Sequence, residues 1–482
     1  MKKLLILSLL FVLVIPTRAK EIHDFYENKD LKIHVCNDEV FLRRTYLTLT
    51  GRIPKPEIAQ QFLLSKSPNK RSELINQLLE TDEYARYFVM RWGDILRIKS
   101  EFPSNMWPNG VQAYNRWLFE RIQSNMPYDI FVRELLLSSG SNFRSAAVNF
   151  YRAFPKRTPE NIYNNIQLLF LGNRNPMDNG KICFSQIMFK STKEWKEEIV
   201  YIDYHLKPTV NSIEMPGGKS ISLAEGEDWR ISYVNWLTDK DNKRFAAVMV
   251  NRIWCWLMGK GIVDEPDDWS PQNPPSNPEL LNFLTENFIS EKYNVQSLIK
   301  LILNSAVFQS TSSPDGVYEP QRLLSELIVD GIADVTGIPD LYRSRVPEPF
   351  TIYPTGTHAI ELGDATVSSS ALELFGRASR DVSLENQHVN SLTSKQLLYL
   401  LNSSELEDKI RKSPILTRIY KNNTSRAEIL KQITLLTLSR FPTENEKILF
   451  NDYAEKNNIS NSQLAYDIMW TAINSYEFLY NH

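Results

Sequence analysis

The densest chemistry in the chain is one arginine followed by four carboxylates. Arg252 lies within residues 245–258, where Asn251 is the other polar side chain, and Asp264, Glu265, Asp267 and Asp268 follow shortly after. Carboxylates grouped in a turn can hold a hard cation such as calcium through their oxygens. They can also supply the general acid and base of glycoside cleavage in a polysaccharide-directed hydrolase or lyase. Or they can pair with Arg252 and other arginines and cap the next helix. The turn lacks the alternating spacing and central glycine of an EF-hand loop. A guanidinium in an apolar helix must find acceptors or snorkel to water, and this turn is the nearest dense supply. Trp107, Tyr114 and Trp117 form a second candidate. Their rings could make a platform for a sugar, although aromatic residues at helical spacing also build cores.

Other chemistries find little support. There is no G-x-S-x-G elbow, no H-E-x-x-H and no phosphate-binding glycine loop. The six histidines, His23, His34, His205, His358, His388 and His482, show no ligand spacing. Cys36, Cys183 and Cys255 are widely separated, so paired-cysteine zinc or covalent haem has no basis, and buried thiols are expected. A net charge of −2 leaves no basic surplus for phosphates, which argues against nucleic acid as a partner.

The elements that must position these residues read as helical almost throughout. Residues 245–258 are apolar nearly all round, as a buried helix requires, and Gly259 and Gly261 bracket its end. Asn277, Pro278 and Glu279 open the next helix as cap, first-turn proline and first-turn acid. Upstream, helices are expected over 38–50, 67–80, from 82, over 107–122, 128–137 and 158–171. Residues 201–225 carry prolines, paired glycines and alternating apolar residues, which predict a short hairpin. Residues 339–370 read as a long loop, with helices resuming from Ser370 to the C-terminus. The expected class is mainly α, with a first helical domain at 38–200, a hairpin linker at 201–225 and a second helical domain at 226–482.

Short patterns recur. Leu47-Thr48-Leu49-Thr50-Gly51-Arg52-Ile53-Pro54 resembles Leu436-Thr437-Leu438-Ser439-Arg440-Phe441-Pro442. Thr81, Ser305 and Ser475 each end an apolar helix, with Tyr84, Phe308 or Phe478 three residues later. Both patterns read as folding signatures, with the arginine reaching the carbonyl end of the preceding helix.

The first residues join Lys2 and Lys3 to an apolar run over 4–15 and then Thr17-Arg18-Ala19. That order predicts a secretory signal over residues 1–19, an extension over 20–37, and an exported protein in the periplasm or outside the cell.

Stretches such as FLRRTYLTLTGRIP, YFVMRWGDILRIKSE and SGSNFRSAAVNFYR are similar to the first domain of an exported bacterial pair. RFAAVMVNRIWCWLMGKGIV, ALELFGRASRD, LSRFPTENE and INSYEFLYNH are similar to its second. The chain thus resembles the DUF1549 and DUF1553 pair of planctomycete-type proteins, whose activity is unknown. Many relatives carry C-x-x-C-H after the F-L-G that ends a first-domain helix. Here Phe170-Leu171-Gly172 leads into Asn173 and a stretch with neither cysteine nor histidine. No haem is expected, and the electron-transfer role that the resemblance implies loses its basis. What remains expected is an exported helical protein that binds an envelope protein or polysaccharide without catalysis, with the hydrolase or lyase as alternative.

Overall fold

The computed structural model describes residues 21–26, 33–101, 106–193, 196–312, 318–344, 346, 353–388, 391–422 and 425–482. The export signal read over residues 1–19 lies outside them. Helices carry the fold, and among the described residues none is long and apolar enough to cross a membrane.

The helix Lys243–Met258 is buried along most of its length. It ends at Gly259, in the left-handed region at φ 80, with its N–H bonded to the Cys255 carbonyl. Glycine is required here twice over, because a Cβ would also lie 1.9 Å from the Gln321 side chain. Asn251 fixes the turn that follows by donating to the Val263 carbonyl at 2.9 Å and accepting from the Val263 N–H at 2.8 Å. The next helix, Pro278–Ser290, is capped by the Asn277 side chain.

The buried apolar residues of both halves form one continuous cluster. The helix Asp38–Thr50 shows why. Arg43 donates to the carbonyls of Thr437 and Phe478, each at 3.0 Å, and Arg44 donates to those of Ser310 at 2.8 Å and His482 at 3.0 Å. The first-half helix is therefore seated among last-half segments. Arg43 satisfies carbonyls that helix ends leave open, and Arg44 serves carbonyls of two non-helical segments.

The recurring Thr and Ser residues share one geometry. Thr81, Ser305 and Ser475 each donate to the carbonyl three residues back, at 2.6 to 2.7 Å, and accept the N–H three residues on, at 3.2 to 3.3 Å. The aromatic that follows is buried in every case. Gly51 and Ser439, at matching places in the other repeat, are both left-handed, with φ 65 and 62. The arginines after them do not cap the preceding helices as the sequence suggests. Arg52 grips Asp334 through two hydrogen bonds, and Arg440 grips Glu446 and Glu477, because a carboxylate takes a guanidinium more strongly than a carbonyl does.

Two departures from the expected helices matter. Strands Ile187–Ser191 and Glu198–Ile202 pair antiparallel, and Gly140–Ser141 adds to the second. This sheet lies inside what reads as the first helical domain, and its segments are too short for periodicity to separate them from helix ends. The hairpin of Ser212–Glu214 with Ser220–Ser222 follows it, with Ile213 opposite Ile221. Second, the helix from Ser370 stops at Leu374, and the described residues up to Thr393 hold only a short turn at Glu385–Gln387. Gly376 and Arg380 are both left-handed there, which a continuous helix does not allow.

Candidate functional site

That irregular segment is held against the buried helix by a compact set of charges. Arg252, 1 % exposed, donates to the Leu169 carbonyl at 3.0 Å and to Asp267 Oδ1 at 3.2 Å. The other Asp267 oxygen accepts the backbone N–H of Glu385 at 2.5 Å. Glu385 Oε1 in turn accepts from Arg91 Nη2 and Trp256 Nε1, both at 2.6 Å. Burial pushes the Glu385 carboxyl above its ordinary range; Arg91 opposes this and Asp267 adds to it.

A second tie lies one turn further along the helix Asp82–Ile95. Arg380 Nε donates to Asp94 Oδ1 at 2.9 Å, and its Nη1 donates to the carbonyls of both Ile98 and Gly363 at 3.1 and 3.0 Å. His388 Nε2 meets Asp94 Oδ2 at 2.9 Å. The guanidinium lies flat on the helix at Gly93, where a Cβ would come within 3.1 Å of it. Burial alone would raise Asp94, but Arg380 and His388 hold it down to about 2. Arg380 is left-handed at φ 57, a conformation that persists in a non-glycine residue because so many contacts fix it.

The residues singled out in the sequence separate in space. Asp267 joins Arg252, whereas Asp264 and Glu265 are exposed and Asp268 is half-buried, accepting from the Ser270 N–H. Asp264 lies 4.0 Å from Lys260, and Glu265 accepts from Asn386 at 3.1 Å. Their oxygens do not converge, and among the described residues no three His, Cys, Asp or Glu side chains are placed to hold a metal ion. The aromatic platform is not on the surface. Tyr114 is fully buried and Trp117 is 6 % exposed, stacked on Tyr114 and Phe131, while Lys196 covers the half-buried Trp107. The helical spacing turns these rings inward.

Beside the charge set lies a cleft of about 400 Å³, within the range of small-molecule sites. Its walls come from both halves of the chain and include Arg91, Gln321, Glu385, His388 and Asn481. Each of these five carries a buried polar atom with no hydrogen-bond partner among the described residues: Arg91 Nε, Gln321 Nε2, Glu385 Oε2, His388 Nδ1 and Asn481 Oδ1. Orphaned buried atoms cost stability, and an incoming polar group that reached these five would satisfy them. A larger cavity, about 1050 Å³, includes Arg52, Asp334 and His358. Arg52 and His358 both engage Asp334 there, and among the described residues no orphaned buried atom lines it. Glu385, Gln321 and Asn481 carry no motif a single sequence can show.

Family models match the two regions whose residues meet in this cleft. PSCyt2, a protein of unknown function (DUF1549), covers residues 22–170 with Arg91 and Asp94. PSD1, a protein of unknown function (DUF1553), covers residues 229–454 with Arg252, Asp267, Gln321, Glu385 and His388. The chain is a DUF1549–DUF1553 protein. The charge set is thus an interface between the two family regions, joined by Arg91–Glu385 and Arg380–Asp94. Asn481 reaches the cleft from beyond the DUF1553 match. Searches of the curated proteins and of the solved structures found no match.

Proposed function

We propose that this DUF1549–DUF1553 chain is an exported, non-catalytic binding component of the cell envelope or of extracellular polysaccharide use, with the Glu385 cleft as its ligand seat. The observation that carries this reading is the set of five orphaned polar atoms on the cleft wall. Catalysis by the acidic turn is disfavoured because Asp267 is buried against Arg252 and committed on both oxygens. Burial also pushes the Cys255 thiol at the cleft upward, so it stays protonated and is a poor nucleophile.

One observation favours the hydrolase or lyase alternative: the raised Glu385 carboxyl has the property that a general acid needs. Electrophoresis through gels cast with soluble polysaccharides separates the two readings. The wild type should be retarded in at least one gel and Asn481→Ala should not, with no new reducing ends after prolonged incubation. Reducing ends that disappear with Glu385→Gln would establish the hydrolase instead. Free migration in every gel would remove the binding reading.

A further inference from the structure

We infer that the group seated in the cleft is an uncharged polyhydroxylated unit, a sugar residue of a neutral glycan. This rests on the cleft being the ligand seat. The orphaned atoms are of both kinds: Arg91 Nε and Gln321 Nε2 donate, Glu385 Oε2 and Asn481 Oδ1 accept, and His388 Nδ1 accepts in the neutral ring, whose Nε2 proton goes to the Asp94 carboxylate. A ligand that satisfies all of them must offer donors and acceptors side by side, as neighbouring hydroxyls do. A carboxylate or sulfate would satisfy the donors and press its charge against Glu385. An ammonium would satisfy the acceptors and press against Arg91.

The floor itself is balanced, because Arg91 and Glu385 pair at 2.6 Å. Behind them Arg252 Nε and Glu385 Oε2 stand 4.0 Å apart, too far for a direct hydrogen bond, and neither has another partner among the described residues. Arg252 is 1 % exposed and stands behind the residues that line the cleft, so of the two only Glu385 faces a ligand there. Glu385 is nine-tenths buried, so a hydroxyl bonded to it would be held in a dry place where such bonds are strong. The rim supplies the apolar half of sugar recognition. Tyr480 lines the cleft and stacks on the 55 %-exposed Tyr476 with ring centroids 4.0 Å apart and 15° between planes. Of the two rings the half-buried Tyr480 is the one that lines the cleft, and its apolar surface suits the C–H side of a sugar. Asp264, Glu265 and Glu319 also stand at the rim, exposed to water, which makes a cationic sugar the competing class.

Titration calorimetry with tetramers decides between the classes: cellotetraose, xylotetraose, mannotetraose and maltotetraose against tetragalacturonate and the glucosamine tetramer. At least one neutral tetramer should bind, with affinity falling about tenfold or more in Gln321→Ala and in Asn481→Ala. Circular dichroism melts confirm that these variants are folded. A charged tetramer that binds in place of the neutral ones and is lost in the same variants would overturn the neutral class and leave the cleft as the seat. A neutral tetramer whose affinity the variants leave unchanged would overturn the cleft as well. Binding of no tetramer would overturn the inference, with the polysaccharide gels then judging the binding reading separately.

Discussion

Asp267 and Glu385 stand 118 residues apart, yet the Asp267 carboxylate holds the Glu385 backbone N–H at 2.5 Å while its other oxygen faces Arg252. The charge buried in the helix therefore does more than satisfy itself. It fixes the segment that places Glu385 at the cleft.

If that clamp supports the fold, its two partners are not equivalent to their neighbours. Arg252→Ala and Asp267→Asn should each cost on the order of 3–5 kcal/mol, since each strands a buried partner. Asp268→Asn should cost under about 1 kcal/mol, because its carboxylate only caps a turn. Urea melts of the three variants check the ranking, and a severe Asp268→Asn would refute it.

Trp117 is core rather than platform. Trp117→Ala should destabilise by roughly 3–5 kcal/mol through lost packing on Tyr114 and Phe131. Retardation of the folded fraction in polysaccharide gels should not change.

Asp330 gives the fold a pH dependence of known sign. It accepts the N–H of Ala359 at 2.6 Å, and burial raises its carboxyl to about 7. An unfolded aspartate titrates near about 3.9. The folded state thus binds this proton more tightly, and the stability it contributes is fully present below about pH 3.9 and lost as pH rises through about 7. Asp330→Asn has no such proton. The wild-type stability minus that of Asp330→Asn should fall between about pH 4 and about pH 8; urea melts showing a constant difference would refute the assignment.

The residues after Gly172 hold no cysteine pair, so the purified protein should show no Soret band. A band that survives denaturation would contradict this.

The helices were legible because their signals are local. Asn37, Thr158 and Asn277 cap where the sequence places starts, and Gly51, Gly172 and Gly259 end helices in left-handed geometry. The Arg252–Asp267 pair was legible for the same reason, since a glycine-bounded turn brings nearby residues back onto the helix. The cleft was not. Arg91, Gln321, Glu385 and Asn481 come from four distant stretches, and each alone reads as an ordinary surface polar residue. Nor was the tie between the two halves legible, because Arg43 and Arg44 bond carbonyls that only the folded chain brings near.

The most direct test of the cleft as a ligand seat is Gln321→Met, measured for stability and for affinity together. Gln321 leaves Nε2 buried without a partner, so a methionine of similar volume removes an orphaned donor. A site kept for a ligand sacrifices stability to hold that donor. The expected result is a variant that melts at or above the wild type and binds the neutral tetramer about tenfold more weakly or worse. A variant that melts well below the wild type while its affinity is unchanged would contradict the assignment.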